Sequence, residues 1–168
     1  MPLRDVVGSE LPYLRRYARA VTGSQRLGDA AVRETLEALI AAPGEFDLGK
    51  PPRAELFRAF HTIWSAESLK RVDVPSRDGT VASLPIKARQ ALLLTAVERF
   101  SESEVSTILE LDPAMVALLI SEARAAITAA LTGTVMIIED ETIIALHLKS
   151  IVNELGHDVA GIVRTHRE

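Results

Sequence analysis

Glu139, Asp140 and Glu141 close a continuous apolar run, Val135-Met136-Ile137-Ile138. Such a run reads as a buried parallel strand, and ligands in open α/β sheets bind at the carboxyl ends of their strands. Two carboxylates there, Glu139 and Asp140, offer hard oxygen ligands for Mg²⁺, which takes one or two carboxylates and completes its shell with water and phosphate oxygens. The plainer reading of an acidic cluster is a helix N-terminus complementing its dipole, a role the pattern gives to Glu141. Other chemistry-bearing residues are sparse. His61, His147, His157 and His166 have no metal-ligand spacing, and no nucleophile–base arrangement is visible, so no enzyme is expected. There is no cysteine, which excludes disulfides and thiol nucleophiles and suits a reducing cytoplasm.

Charge distinguishes the parts of the chain. The 168 residues carry a formal charge of −4, unlike the basic balance of a chain that mainly grips nucleic acid. Residues 1–83 are close to neutral, whereas 84–131 and 132–168 are both acidic. Arg15, Arg16 and Arg19 form a basic stripe in the first segment: either a solvated face or a contact for an acidic partner. No apolar run reaches about 18 residues, so no membrane span is expected. The start, Met1-Pro2-Leu3-Arg4-Asp5, has no apolar signal core.

The elements that position these residues are mostly helical. Leu11, Leu14, Tyr17, Ala18 and Val21 have helical spacing, with Pro12 in the first turn and Gly23 as the stop. A second helix is expected from about Asp29 to Ala42, burying Val32, Leu36, Leu39 and Ile40. A third, from Pro52, buries Leu56, Phe57, Phe60, Ile63 and Trp64. The punctuated stretch 71–83 reads as a linker. Beyond it, helices are expected over Leu84–Phe100, Ser101–Leu109 and Asp112–Leu131. Ser101 and Glu104 form a capping box, and Asp112 and Pro113 open the last helix. This is the outline of a helix-turn-helix. After Gly133 the period changes to strand, helix (Ile144, Leu148, Ile151, Leu155, closed by Gly156) and strand (Val159–Val163). The fold class is therefore mainly α. Two helical lobes (1–70, a three-helix bundle, and 84–131, a helix-turn-helix-like lobe) precede a β-α-β segment over 134–168.

Leu-Pro-Tyr-Leu-Arg-Arg-Tyr-Ala-Arg-Ala-Val-Thr-Gly (11–23), Gly-Asp-Ala-Ala-Val-Arg-Glu-Thr-Leu-Glu-Ala-Leu (28–39) and Phe46-Asp47 resemble region two of extracytoplasmic-function sigma factors. Residues 84–131, opening Leu-Pro-Ile-Lys-Ala-Arg-Gln-Ala-Leu-Leu-Leu, resemble region four. Residues 135–164, through Leu155-Gly156-His157, resemble the opening of a two-component receiver. This order is that of PhyR-type response regulators, the anti-anti-sigma switches of the general stress response. The resemblance implies a sigma-like domain that sequesters a NepR-like anti-sigma factor, and a receiver phosphorylated through a histidine kinase. It also gives Glu139 and Asp140 the Mg²⁺ of an intact doubly wound receiver. In the family the phosphoacceptor aspartate ends the third strand, and the switch Thr/Ser and Lys follow. The chain reads as a truncation before them, so neither phosphorylation nor firm Mg²⁺ binding is expected of it.

The departures from a working sigma factor locate the partner surface. Matching the helix opened by Asp112 to the recognition helix of region four implies that Val116, Ile120, Ala123 and Ile127 fall on the core side. The groove side then presents Ala117, Leu118, Leu119, Ser121 and Glu122, with no Lys or Arg from Asp112 to Ala123. DNA recognition needs cations for phosphates and donors for base edges. Leu118, Leu119 and Glu122 supply neither, and read either as a helix buried on several faces or as an apolar protein-binding surface. The turn before this helix carries Glu110 where such turns usually have glycine, which puts its geometry in question. An active sigma factor or DNA-binding regulator fused to a receiver is the alternative.

Overall fold

The computed structural model describes residues 3–47, 49–68 and 81–164. Their helices are α1 (Leu3–Thr22), α2 (Gln25–Ala41), α3 (Pro52–Ser68), α4 (Ile86–Ala96), α5 (Glu102–Leu109), α6 (Pro113–Leu131) and α7 (Thr142–Glu154). The strands are β1 (Thr134–Ile138) and β2 (Asp158–Val163). Short 3-10 turns occupy Pro43–Glu45 and Val81–Ser83, the latter at the end of the expected linker. Residues 71–80 of that linker, and His166, lie outside the described residues. The chain forms two compact units, residues 1–124 and 125–168, with the boundary inside α6.

In the helical unit, α1 begins eight residues before Leu11 and carries Pro12 in its interior, not in its first turn as the sequence suggested. Pro12 removes a hydrogen bond to the Gly8 carbonyl. Both residues are exposed, so water can serve that carbonyl. Leu14, Tyr17, Ala18 and Val21 are all fully buried, and Gly23 at φ +66° ends the helix. α2 starts earlier than Asp29 because the Ser24 hydroxyl oxygen accepts the Leu27 N–H at 3.3 Å. Its stripe buries Ala31, Val32 and Leu39, whereas Ile40 stands 78% exposed. One residue beyond Leu39 is 100° round the helix, too far to share its face.

The two sets of helices share one core. Phe57, Phe60 and Leu56 of α3 are fully buried with Leu94, Val105, Ile108 and Val116 of α4 to α6. Each such side chain contributes about 1.5–3 kcal/mol by leaving water. The edge-on contact of Phe57 with Phe100, centroids 5.0 Å apart, joins the lobes directly. α4 stops at Ala96, short of the expected Phe100, because the chain turns through Arg99 at φ +59°. The expected capping box is present: the Ser101 hydroxyl accepts the Glu104 N–H at 3.3 Å, and the Ser101 N–H donates to Glu104 Oε2 at 2.8 Å. Glu110 takes up the left-handed conformation (φ +53°, ψ +46°) despite its side chain, so the turn keeps its geometry. Asp112 Oδ1 then accepts the Ala114 N–H at 2.8 Å and starts α6.

α6 is, by length and composition, apolar enough to cross a membrane, although no uninterrupted apolar run within it reaches about 18 residues. Its apolarity is spread over alanines around the helix, with only Glu122 and Arg124 charged. Its buried residues, Val116, Ile120 and Ala123, face the helical core as the resemblance to region four implies.

In the second unit β1 and β2 pair in parallel, Ile137 opposite Ile162, with an irregularity between Val135 and Met136. α7 connects them and buries Ala145, while Ile137 is the buried residue of β1. Gly156 at φ +82° lets the chain turn into β2. The Gly133 N–H donates to His157 Nδ1 at 3.1 Å and the Gly133 carbonyl accepts from Asp158 N–H at 3.0 Å, aligning the starts of the strands.

Candidate partner-binding surface

Because Val116, Ile120 and Ala123 turn inward, α6 presents Met115, Leu118, Leu119 and Glu122 at helical i, i+3, i+4 and i+7 spacing on its other side. Leu118 is 51% exposed and Met115 45%, while Leu119 packs partly against the core. Glu122 is exposed. The helix is therefore buried on one face and leaves an apolar one open. Met115 was not singled out from the sequence. Its membership follows from its place three residues before Leu118, one helical turn back on the same side.

The arginines of α1 do not form one free stripe. Arg15 and Arg19 both fork onto Asp29 of α2, Arg19 at 2.8 and 2.9 Å and Arg15 at 3.2 and 3.3 Å. These hydrogen bonds hold the Asp29 carboxyl well below the usual carboxylate range. Arg16 points instead to Glu98, with Nε to Oε1 at 3.0 Å and Nη2 to Oε2 at 2.9 Å. That pairing raises the Arg16 guanidinium above its ordinary pKa. All three arginines keep a third to a half of their side-chain surface in solvent, so each can still meet a partner's carboxylate.

Sequence reasoning missed two buried acids. The Glu98 side chain is wholly buried and is also held by Arg53, whose Nη2 lies 3.1 Å from Oε2. Glu55 is 1% exposed, and Arg58 holds it from Nε at 2.8 Å and Nη2 at 2.6 Å. Those hydrogen bonds push the Glu55 carboxyl down. An unpaired buried charge would cost about 3–5 kcal/mol, so each acid needs its arginine. No local signal marks Glu98, because Arg16 is 82 residues away; Glu55 carries one, its i, i+3 spacing to Arg58 on α3.

Glu139 and Asp140 follow β1 as expected, at the carboxyl end of the strand. Glu141 stands at the N-cap position of α7, the helix start that the pattern gives it, without a side-chain capping bond, and Glu139 Oε1 accepts the Glu141 N–H at 3.0 Å. The Glu139 backbone is tied to β2, its N–H donating to Val163 O at 3.0 Å. Among the described residues no group of three or more His, Cys, Asp or Glu converges as a metal site. The pair supplies two carboxylates, one with an oxygen already in use.

The class this geometry defines is a sigma-like helical domain followed by the first strand–helix–strand of a receiver. Two family models match it, the sigma2 domain of PhyR over residues 7–61 and the sigma-like domain of the response regulator PhyR over residues 81–129. The phyllosphere-induced regulator PhyR of Methylorubrum extorquens is 42% identical, with all of this chain and 65% of the relative aligned. A crystal structure of the anti-anti-sigma factor PhyR of Bartonella quintana, complexed with the anti-sigma factor NepR, is 39% identical. It superimposes with a TM-score of 0.80, over 99% of this chain and 67% of that one. The complex of PhyRSL with NepR from Sphingomonas sp. Fr1 is 40% identical, with a TM-score of 0.65 over 77% of this chain and 88% of that one. The chain belongs to the PhyR family of response regulators, which is not an enzyme family. It spans just under two thirds of its curated relative.

Proposed function

We propose that this chain carries the sigma-like half of an anti-anti-sigma regulator of the general stress response, binding a NepR-like anti-sigma factor in place of the sigma factor. The observation that carries this reading is the outward face of α6. Met115, Leu118 and Leu119 offer apolar area, and the stretch from Asp112 to Ala123 has no cation for DNA phosphates. An amphipathic helix of the partner would lie against this face, with Arg15, Arg16 and Arg19 available to its acidic residues. The setting is cytoplasmic, and neither DNA nor a membrane is a partner. In longer relatives, phosphorylation of the receiver by a histidine kinase pathway would shift the population towards a form with this face open, through differential affinity for the two states. Glu139 and Asp140 would hold the Mg²⁺ of that receiver, and the metal neutralises phosphate charge there.

The test is to mix the chain with a purified NepR-type protein and, separately, with promoter DNA and core RNA polymerase. A stable one-to-one protein complex without DNA retention is expected. Salt-sensitive DNA retention would instead favour a sigma factor or DNA-binding regulator. Leu118→Asp combined with Leu119→Asp should abolish the protein complex, and Leu118→Asp alone, at a half-exposed position, should weaken it without disturbing the fold. Undiminished binding by both folded variants would remove α6 from the interface.

A further inference from the structure

We infer that Glu98 is a positioning residue: its buried carboxylate, gripped by arginines from two helices of the first lobe, sets the register in which the second lobe packs on the first. The consequence for partner binding rests on the function proposed above; the geometry does not.

Glu98 lies in the turn between α4 and α5, whereas Arg16 belongs to α1 and Arg53 to α3. Arg16 forks onto both carboxylate oxygens at 3.0 and 2.9 Å. Arg53 spans the side chain and the backbone of the same residue, with Nη2 to Oε2 at 3.1 Å and Nη1 to the Glu98 carbonyl at 3.0 Å. Its Nε reaches Glu10 Oε2 at 2.9 Å, so its direction is fixed from the α1 side as well. The Arg53 guanidinium also covers the Phe100 ring at 4.5 Å. The clamp thus holds the second lobe on both sides of Arg99, Glu98 by its charge and Phe100 by its ring.

Arg99 bears the strain. Its φ of +59° is one that side-chain-bearing residues rarely adopt, and such a conformation persists only where its surroundings over-determine it. An open cavity of about 540 Å³, lined by Tyr13, Arg16, Arg53 and Arg99 among others, overlies the cluster. This seam is therefore not sealed by apolar packing. The core shared by the two lobes is attractive but non-directional, and would tolerate small slips. Forked guanidinium–carboxylate pairs have a fixed planar geometry and accept one register only. Buried ionic groups of this kind add little net stability over apolar substitutes and can instead specify one arrangement.

The two roles separate experimentally. The chain has no cysteine, so Glu37→Cys on α2 and Ser103→Cys on α5, both exposed, can carry spin labels for an interlobe distance distribution in the free chain. One narrow distribution is expected for the parent. Glu98→Gln should broaden or shift it. Glu98→Leu should do the same while keeping the helical circular dichroism and cooperative melting, an effect a purely stabilising pair would not produce. Affinity for a purified NepR-type protein should fall about tenfold in both variants. An unchanged narrow distribution in folded Glu98→Leu overturns the inference, and should that variant not fold, Arg53→Gln decides by the same distance. Broadening with undiminished affinity overturns the link to the partner surface. A parent that binds no NepR-type protein overturns the proposed function, and the distance measurement still judges the clamp.

Discussion

The Tyr17 hydroxyl of α1 lies 2.8 Å from Nε2 of His61 on α3, in the buried centre of the helical unit. Phe60 and Trp64 pack their rings around the same imidazole, with centroids 5.4 and 6.2 Å away. Burial pushes the imidazole down to about 3, helped by the positive charge of Lys87, and pushes the Tyr17 hydroxyl up. Both groups are held neutral at physiological pH.

That pair makes stability depend on pH in a defined direction. The unfolded chain protonates His61 near pH 6.5, and the folded chain only near 3. Because the folded value is the lower one, the contribution is complete above the unfolded pKa and is lost as pH falls towards 3. The slope approaches about 1.4 kcal/mol per pH unit. The lowered Glu55 carboxyl acts in the same sense, but only once pH falls through the ordinary carboxylate range. Urea midpoints should therefore decline already between pH 7 and 5, and His61→Gln should flatten that interval. A flat parent curve would mean that the imidazole is not held neutral.

Gly28 allows the close crossing of α1 and α2. A Cβ there would sit 2.6 Å from the Arg19 nitrogen and 2.7 Å from the Ala18 carbonyl carbon, and backbone atoms cannot swing aside. Glycine to alanine within a helix ordinarily gains up to about 1 kcal/mol. Here overpacking should reverse the sign, costing about 1–3 kcal/mol, measured by urea or thermal unfolding of Gly28→Ala. A stabilised variant would show that the helices can separate without penalty.

The features that could be read in advance are those decided within a few residues of the chain. Gly23, Pro52, the Ser101–Glu104 box, Asp112 and Gly156 each declare a helix end through local backbone chemistry, and all five function in the structure. The inward set of α6 follows from matching the helix to region four, and it holds for Val116, Ile120 and Ala123 while Ile127 is only half-buried. The start of α1 was hidden because Pro12 signals a helix start, yet an exposed turn tolerates it mid-helix. Asp29, Glu55 and Glu98 look like surface charges in the sequence. Asp29 and Glu98 are answered by arginines that only the tertiary fold brings near, and the same fold divides the Arg15, Arg16 and Arg19 stripe between two partners. Glu55 pairs with Arg58 one helical turn on, and only its burial is tertiary.

Glu110 holds its left-handed conformation against a side-chain penalty of about 1–2 kcal/mol. Its compensation is one exposed contact, with Arg58 Nη1 at 3.5 Å, and exposed pairs contribute about 0–1 kcal/mol. Glu110→Gly should thus raise stability by roughly 0.5–1 kcal/mol after the extra chain entropy of glycine is counted. The urea midpoint reads this directly. A drop would mean that the Arg58 contact outweighs the strain.

The missing cations of α6 can be put back. Ala117, Ser121 and Glu122 are exposed on the part of the helix that region four would lay in the major groove, and none needs to be buried for the fold. The parent should elute from duplex DNA resin at low salt, with no steep dependence on ionic strength. The triple variant Ala117→Lys, Ser121→Lys, Glu122→Lys should be retained, with log affinity falling by about 0.9 per phosphate contact for each log unit of salt. The gain should be similar on unrelated sequences, because lysines neutralise phosphates without reading base edges. If the parent itself shows that salt dependence, cations elsewhere on the helical unit grip DNA, and the absence of positive charge between Asp112 and Ala123 is not what keeps this domain off a promoter.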